Sequence, residues 1–162
     1  MIVVSNSSPL VARSAIGEAG LLANLYDRVV VPDAVWEEVV EQGSGKPGAA
    51  QPAAATWLQR SSVADATLIS ALQEQLGRGE AEAIALGLEL SADLLLMDER
   101  LGRRTAQRLG LRVVGVIGVL VEAKRRGQVA AIGPLIERLR DEVGFRVSAA
   151  LVARVLADEG ES

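Results

Sequence analysis

Apolar residues come along this chain in short continuous runs, separated by longer stretches with helical spacing. Ile2 to Val4 is a β-branched run that gives way to Ser5, Asn6, Ser7, Ser8 and Pro9, the pattern of a buried strand followed by a helix start. From Leu10 to Asp27 apolar positions recur at helical spacing with breaks near Gly17 and Gly20, which predicts two short helices. Val29 to Val31 reads as a second strand. Pro32 and Asp33 then open a helix that turns Val35, Val39 and Val40 inward, while Glu37, Glu38 and Glu41 take its other positions. Gln42 to Pro52, rich in Gly, Ala and Pro, reads as an exposed, mobile loop too short for a domain linker.

Trp57 through Val63 supplies a short edge strand. Helices are predicted over Thr67 to Leu76 and Glu80 to Leu90, broken sharply at Gly77-Arg78-Gly79. Leu94 to Met97 is a continuous apolar run ending at Asp98, which fits a central parallel strand covered on both faces. A helix from Arg100 to Leu109, a strand from Arg112 to Val114 and a helix from Gly118 to Arg126 follow. Beyond Gln128 the pattern is wholly helical: Ile132, Leu135, Ile136 and Leu139 form one stripe, Leu151, Val152, Val155 and Leu156 another, with Ser148 as N-cap of the last helix. Strands alternating with helices predict an α/β fold around a central parallel sheet with right-handed crossovers. We expect a single domain over residues 1–162, with an α/β core at 1–127 and a helical C-terminal extension at 128–162.

Composition narrows the chemistry. The chain has neither Cys nor His, which removes disulfides, thiolate metal sites, the usual serine and cysteine triads and the commonest general base. Catalysis would have to run on carboxylates, Lys, Arg, hydroxyls and recruited metal. A net charge of -4 argues against sequence-blind coating of nucleic acid, although a local basic face can still grip phosphates. Aromatic residues at 2% leave little for base stacking. No basic segment precedes the first apolar run, which is too short for a signal peptide or membrane span, so a cytoplasmic protein without a membrane partner is expected.

In a parallel sheet, ligands bind beyond the carboxyl ends of the strands. Asp98 directly follows one strand-like run and Asn6 follows the other after Ser5, so both belong at that edge. Glu80 lies in the first turn of its helix, where the dipole favours a carboxylate, and Glu38 lies on the helix after the second strand. Both can reach the same edge.

The order of these elements resembles the PIN-domain family: Asn6-Ser7-Ser8-Pro9-Leu10 after the first strand, Val31-Pro32 leading to Glu38, Gly79-Glu80, and Leu96-Met97-Asp98. The resemblance implies a three-layer fold and a metal-dependent ribonuclease in which acidic positions in these four contexts hold one or two Mg2+ or Mn2+ ions. It assigns Glu38, Glu80 and Asp98 as catalytic carboxylates, and Asn6 with those three as metal ligands. Glu80 is preferred to Glu82 because its separation from Asp98 matches the family's spacing; Glu82 is the reserve. Many members are VapC-like toxins of toxin–antitoxin pairs, so RNA is the implied partner and an antitoxin protein a further one.

One position departs from the family, which has Asp where this chain has Asn6. Asn offers a carbonyl oxygen to a hard cation but no charge, and three carboxylates then support one metal better than two. Clustered carboxylates repel and raise one another's pKa unless a cation compensates them. Arg100, Arg104 and Arg108 share one face of the helix that leaves Asp98, where they can hold substrate phosphates, as can Ser7. Each residue also has a purely structural reading: Glu38 as part of a solvated face, Glu80 as a helix-terminal charge, Asp98 as the cap of the next helix, the arginines as a solvated stripe, and Ser7 as a helix start.

Three functional classes compete. A metal-dependent ribonuclease leads. A degenerate PIN module that binds RNA or protein without cutting is motivated by Asn6. A receiver-like signalling domain fits poorly, because it lacks the early acidic pair and places Lys124 in a helix. The apolar stripes after Gln128 also predict a homodimer or a partner helix.

Overall fold

A computed structural model of the chain describes residues 1–10, 25–41 and 57–161. The helices expected between Leu10 and Asp27 lie mostly outside the described residues, and the loop expected over Gln42 to Pro52 lies wholly outside them. Strands β1 (Val3–Ser5), β2 (Val29–Val31), β3 (Leu58–Arg60), β4 (Leu94–Leu96) and β5 (Val113–Val114) form a 5-stranded sheet in the order β3-β2-β1-β4-β5. Every neighbouring pair is parallel. The helices are α1 (Asp33–Trp36), α2 (Ala66–Leu72), α3 (Arg78–Glu89), α4 (Arg100–Arg108), α5 (Val116–Arg125), α6 (Gly133–Val143) and α7 (Ala149–Asp158). Ser7 to Leu10 begin a further helix.

Residue alternation along the strands builds a layer on each face of the sheet. Val3, Leu94 and Leu96 join one cluster with residues of α5 and α6, while Val4, Leu95 and Met97 join another with Ile84 and Leu86 of α3 and Ala106 of α4. This is the three-layer α/β arrangement expected from sequence. The chain runs outward from β1 to β2 and β3, then returns to β4 and β5 on the other side of β1. A crevice therefore opens at the carboxyl ends of β1 and β4, the point at which the strand order reverses.

Two local features differ from expectation. The helix after Pro32 is a single α turn that widens into a π-helical turn over Glu37–Glu41, the kind of irregularity that gathers at functional sites. The helix predicted over Thr67 to Leu76 is shorter, because α2 closes at Leu72 and the chain continues in turns. Within the described residues no helix is long and apolar enough to cross a membrane.

The extension is anchored by its apolar stripe and by one carboxylate. Leu135, Ile136 and Leu139 of α6 are buried, and Gly144 ends the helix in the left-handed region at φ 66°, where a residue without a β-carbon is favoured. Ile132, at the N-cap of α6, has no capping side chain of its own. Glu161 takes that role: its carboxylate accepts from the N–H groups of Ile132 at 2.9 Å and Gly133 at 3.0 Å, and pairs with Lys124 at 2.7 Å. These partners hold the Glu161 carboxyl down at about 2, the Lys124 ammonium contributing most. In contrast to α6, α7 buries no residue fully, and its Leu151 is 43% exposed.

Because the folded pKa of Glu161 lies below its unfolded value, its stabilisation is complete above the unfolded value and is lost as pH falls towards about 2. Glu161→Ala should therefore destabilise the protein by about 1–3 kcal/mol at pH 7 in urea titrations. The gap between parent and variant should narrow steadily once the pH drops below the ordinary glutamate range.

Candidate active site at the carboxyl edge of the sheet

The two central strands deliver the first two residues. Backbone pairing continues past β1, where the Asn6 N–H donates to Leu96 O at 2.9 Å, and past β4, where the Met97 N–H donates to Val114 O at 3.0 Å. Asn6 is buried and Asp98 half-buried at the mouth of the crevice.

Glu38 arrives from the π-helical turn. Its neighbours are occupied elsewhere: Glu37 pairs with Arg78 at 2.8 Å, and Glu41 lies 3.7 Å from Arg60, which is itself bound to Asp33 at 2.7 Å. Glu38 instead points to Asn6 across Gly79. A β-carbon on Gly79 would lie 2.8 Å from Glu38 Oε1 and 3.3 Å from Asn6 Oδ1, so the absence of a side chain lets the two approach. The Ser7 hydroxyl donates to Glu38 Oε2 at 2.6 Å, which ties the helix start after β1 to the same carboxylate.

The two candidates for the third acid, Glu80 and Glu82, differ in what they touch. Glu82 is buried, accepts from the Ala34 N–H at 3.1 Å and from Arg78 at 2.8 Å, and so caps the short α1. Glu80 has no hydrogen-bond or ion-pair partner among the described residues; its carboxylate lies against Gly77, and its Cγ lies 3.6 Å from where a β-carbon on Gly102 would stand at the start of α4. Sequence spacing alone left this choice open.

Asp98 does not cap α4, since Glu99 does so through the N–H groups of Leu101 and Gly102. Asp98 reaches across to α5 instead, where Oδ1 accepts from the Val116 N–H at 3.0 Å. Its second oxygen, Oδ2, is buried with no hydrogen-bond partner among the described residues. Burial raises the Asp98 pKa, and the Val116 N–H and the Arg103 guanidinium oppose that rise only in part. Arg103 donates to Met97 O at 3.2 Å and lies over Gly115 beside Asp98. It is off the stripe picked out from the sequence, of which Arg100 and Arg104 line a cleft beside Asp98 while Arg108 is not among the lining residues of that cleft.

The DUF3368 family model, a PIN domain, matches residues 2–161. This chain belongs to the PIN-domain family, whose fold is of a nuclease type and whose members generally depend on divalent metal and bind RNA. No curated protein matches the chain.

Glu38 and Asn6 meet across Gly79, and Asp98 has a buried oxygen without a partner among the described residues; oxygen donors of this kind suit a hard divalent cation. Among the described residues no three acids stand close enough together to hold an ion. Glu38 is exposed and Glu80 half-buried.

Two expectations follow. Asp98→Asn removes a poorly compensated buried charge, so in chelator the variant should melt at or up to about 4 °C above the parent. Added Mn2+ should raise the melting temperature of the parent but not of the variant. Gly79→Ala should shift stability by less than about 1 kcal/mol, because the obstructed atoms are the tips of flexible side chains, yet weaken the Mn2+-induced rise by displacing Glu38.

Proposed function

We propose that this protein is a metal-dependent endoribonuclease of the VapC-like kind, with Asn6, Glu38, Glu80 and Asp98 as ligands of one Mg2+ or Mn2+ ion. The observation that carries this reading is Asp98 Oδ2, a buried acceptor at the strand-order reversal with no hydrogen-bond partner among the described residues. An ion held there would supply Lewis acidity to an in-line displacement at phosphorus. The chain's own part is to bind and orient. Val116 fixes the direction of Asp98, Ser7 fixes that of Glu38, and the buried Asn6 completes the donor set without adding charge. Arg100 and Arg104 provide positive charge for the substrate phosphates.

A binding module without turnover is the second reading, favoured by Asn6 in the place of the family's acid. The finer toxin assignment includes an antitoxin partner and a homodimer formed through the exposed apolar residues of α7, such as Leu151.

Cleavage of labelled single-stranded RNA should require Mg2+ or Mn2+ and fall at least about 100-fold in Asp98→Asn. Asn6→Asp should raise metal affinity and turnover on the order of tenfold by restoring a ligand charge. A parent that cuts none of several RNAs while Asn6→Asp cuts them would establish the binding module instead.

A further inference from the structure

Beside Asp98 lies an open cleft of about 760 Å³, within the range of small-ligand sites. It is lined by α4, by the junction of β5 with α5, and by the segment between α6 and α7. Its charge is opposite to that of the whole molecule: Arg100, Arg103, Arg104 and Arg146 line it, and Asp98 is the one acid among its lining residues. Outside the cleft, Arg60, Arg78, Lys124, Arg125, Arg126 and Arg138 are each paired with a carboxylate, whereas Arg28, Arg108, Arg112, Arg140 and Arg154 have no such pair among the described residues; what sets the cleft apart is that four arginines line one cavity. Arg100, Arg104 and Arg146 have no carboxylate partner among the described residues.

The segment from α6 to α7 adds an aromatic ring to this charge. Gly144 turns the chain, the Phe145 N–H donates to Leu139 O at 3.1 Å, and Phe145 settles half-buried against the core with part of its surface in the cleft. Arg146 follows it, exposed, before Ser148 caps α7 by accepting from the Leu151 N–H at 3.1 Å. Both ends of the segment are therefore fixed, and the ring and the guanidinium are presented on a short, braced connection. Phe145 is the single Phe in the chain.

We infer that this cleft is a nucleotide subsite for single-stranded RNA, in which one unpaired base stacks on Phe145 and the adjoining phosphates lie between Arg146 and Arg104, next to Asp98. The inference rests on the nuclease reading for its substrate but not for its geometry. A stacked base needs an unpaired strand, since bases within an A-form duplex are not free to splay onto a ring. Arginine phosphate contacts supply affinity without sequence information, whereas a ring accepts any base face, so binding should be strand-selective and weakly base-selective. The extension thereby becomes part of the substrate site.

The test is fluorescence anisotropy with a labelled single-stranded RNA in chelator, where cleavage plays no part. Phe145→Leu keeps an apolar group against the core and should weaken binding at least about fivefold, and an abasic site in the oligonucleotide should cost the parent a similar factor but cost Phe145→Leu little. Arg146→Gln should reduce the slope of log affinity against log salt by about 0.7. An abasic scan on the parent alone gives the same reading if Phe145→Leu does not fold. Equal affinity for duplex and single strand, or variants that bind as the parent does, would overturn the subsite. A metal-dependent cleavage assay run in parallel reports separately on the nuclease: a parent that cuts RNA while these variants bind unchanged loses the subsite and keeps the enzyme.

Discussion

Everything at the candidate site depends on the parallel pairing of β1 with β4. These strands are neighbours in the sheet yet far apart in the chain, with Ser5 opposite Leu96. The helices that follow them start at the same edge, as they must when both strands point the same way. That single register brings the residue after β1 and the residue after β4 to one crevice. It also explains why strands this short suffice. Val3, Val4, Leu95 and Leu96 are wholly buried, and the backbone groups between them are satisfied by the ladder, so little length is needed to fix position.

Around this frame the carboxylates divide by what they touch. Asp33, Glu37, Glu82 and Glu161 each have an arginine, a lysine or a helix N-terminus to satisfy them, and their effect is structural. Asp98 has one anchored oxygen and one bare, while Glu80 has no partner among the described residues and Glu38 only a serine hydroxyl. A buried oxygen without a partner costs stability, and Asp98 Oδ2 shares that state with Gln128 Oε1 alone among the described residues. Stability given up at the crevice is available to a cation, which is why the same residues would be both the least comfortable and the most useful.

Much of this could be read from sequence because it followed from apolar runs. The strands announce themselves as Val and Leu clusters, and Asn6 and Asp98 follow them at the site edge. What could not be read depends on contacts between elements distant in the chain. Nothing in the run of glutamates from Glu37 to Glu41 tells which is free, since Arg60 and Arg78 make that choice from other elements. Glu82 and Glu80 differ only in which side of α3 faces α1. Arg103 escaped because a four-residue repeat favours Arg100, Arg104 and Arg108, whereas nearness to Asp98 is set by where α4 crosses Gly115. Phe145 and Arg146 carry no periodic signal at all, being placed by a turn.

The bond from Glu161 back to the start of α6 also has a consequence for how the chain is made. Three of the helices, α2, α4 and α7, are capped by the side chain at their own N-terminus, from Asp65, Glu99 and Ser148. Here the N-terminal N–H groups of α6 wait for a carboxylate 28 and 29 residues downstream, so this brace forms only after α7 has been synthesised and folded back. Assembly of the extension is thus ordered late, after the sheet has the sequence it needs. Until Glu161 has folded back, the chain would carry its full set of described strands while the start of α6, and with it the connection that bears Phe145, is still loosely held.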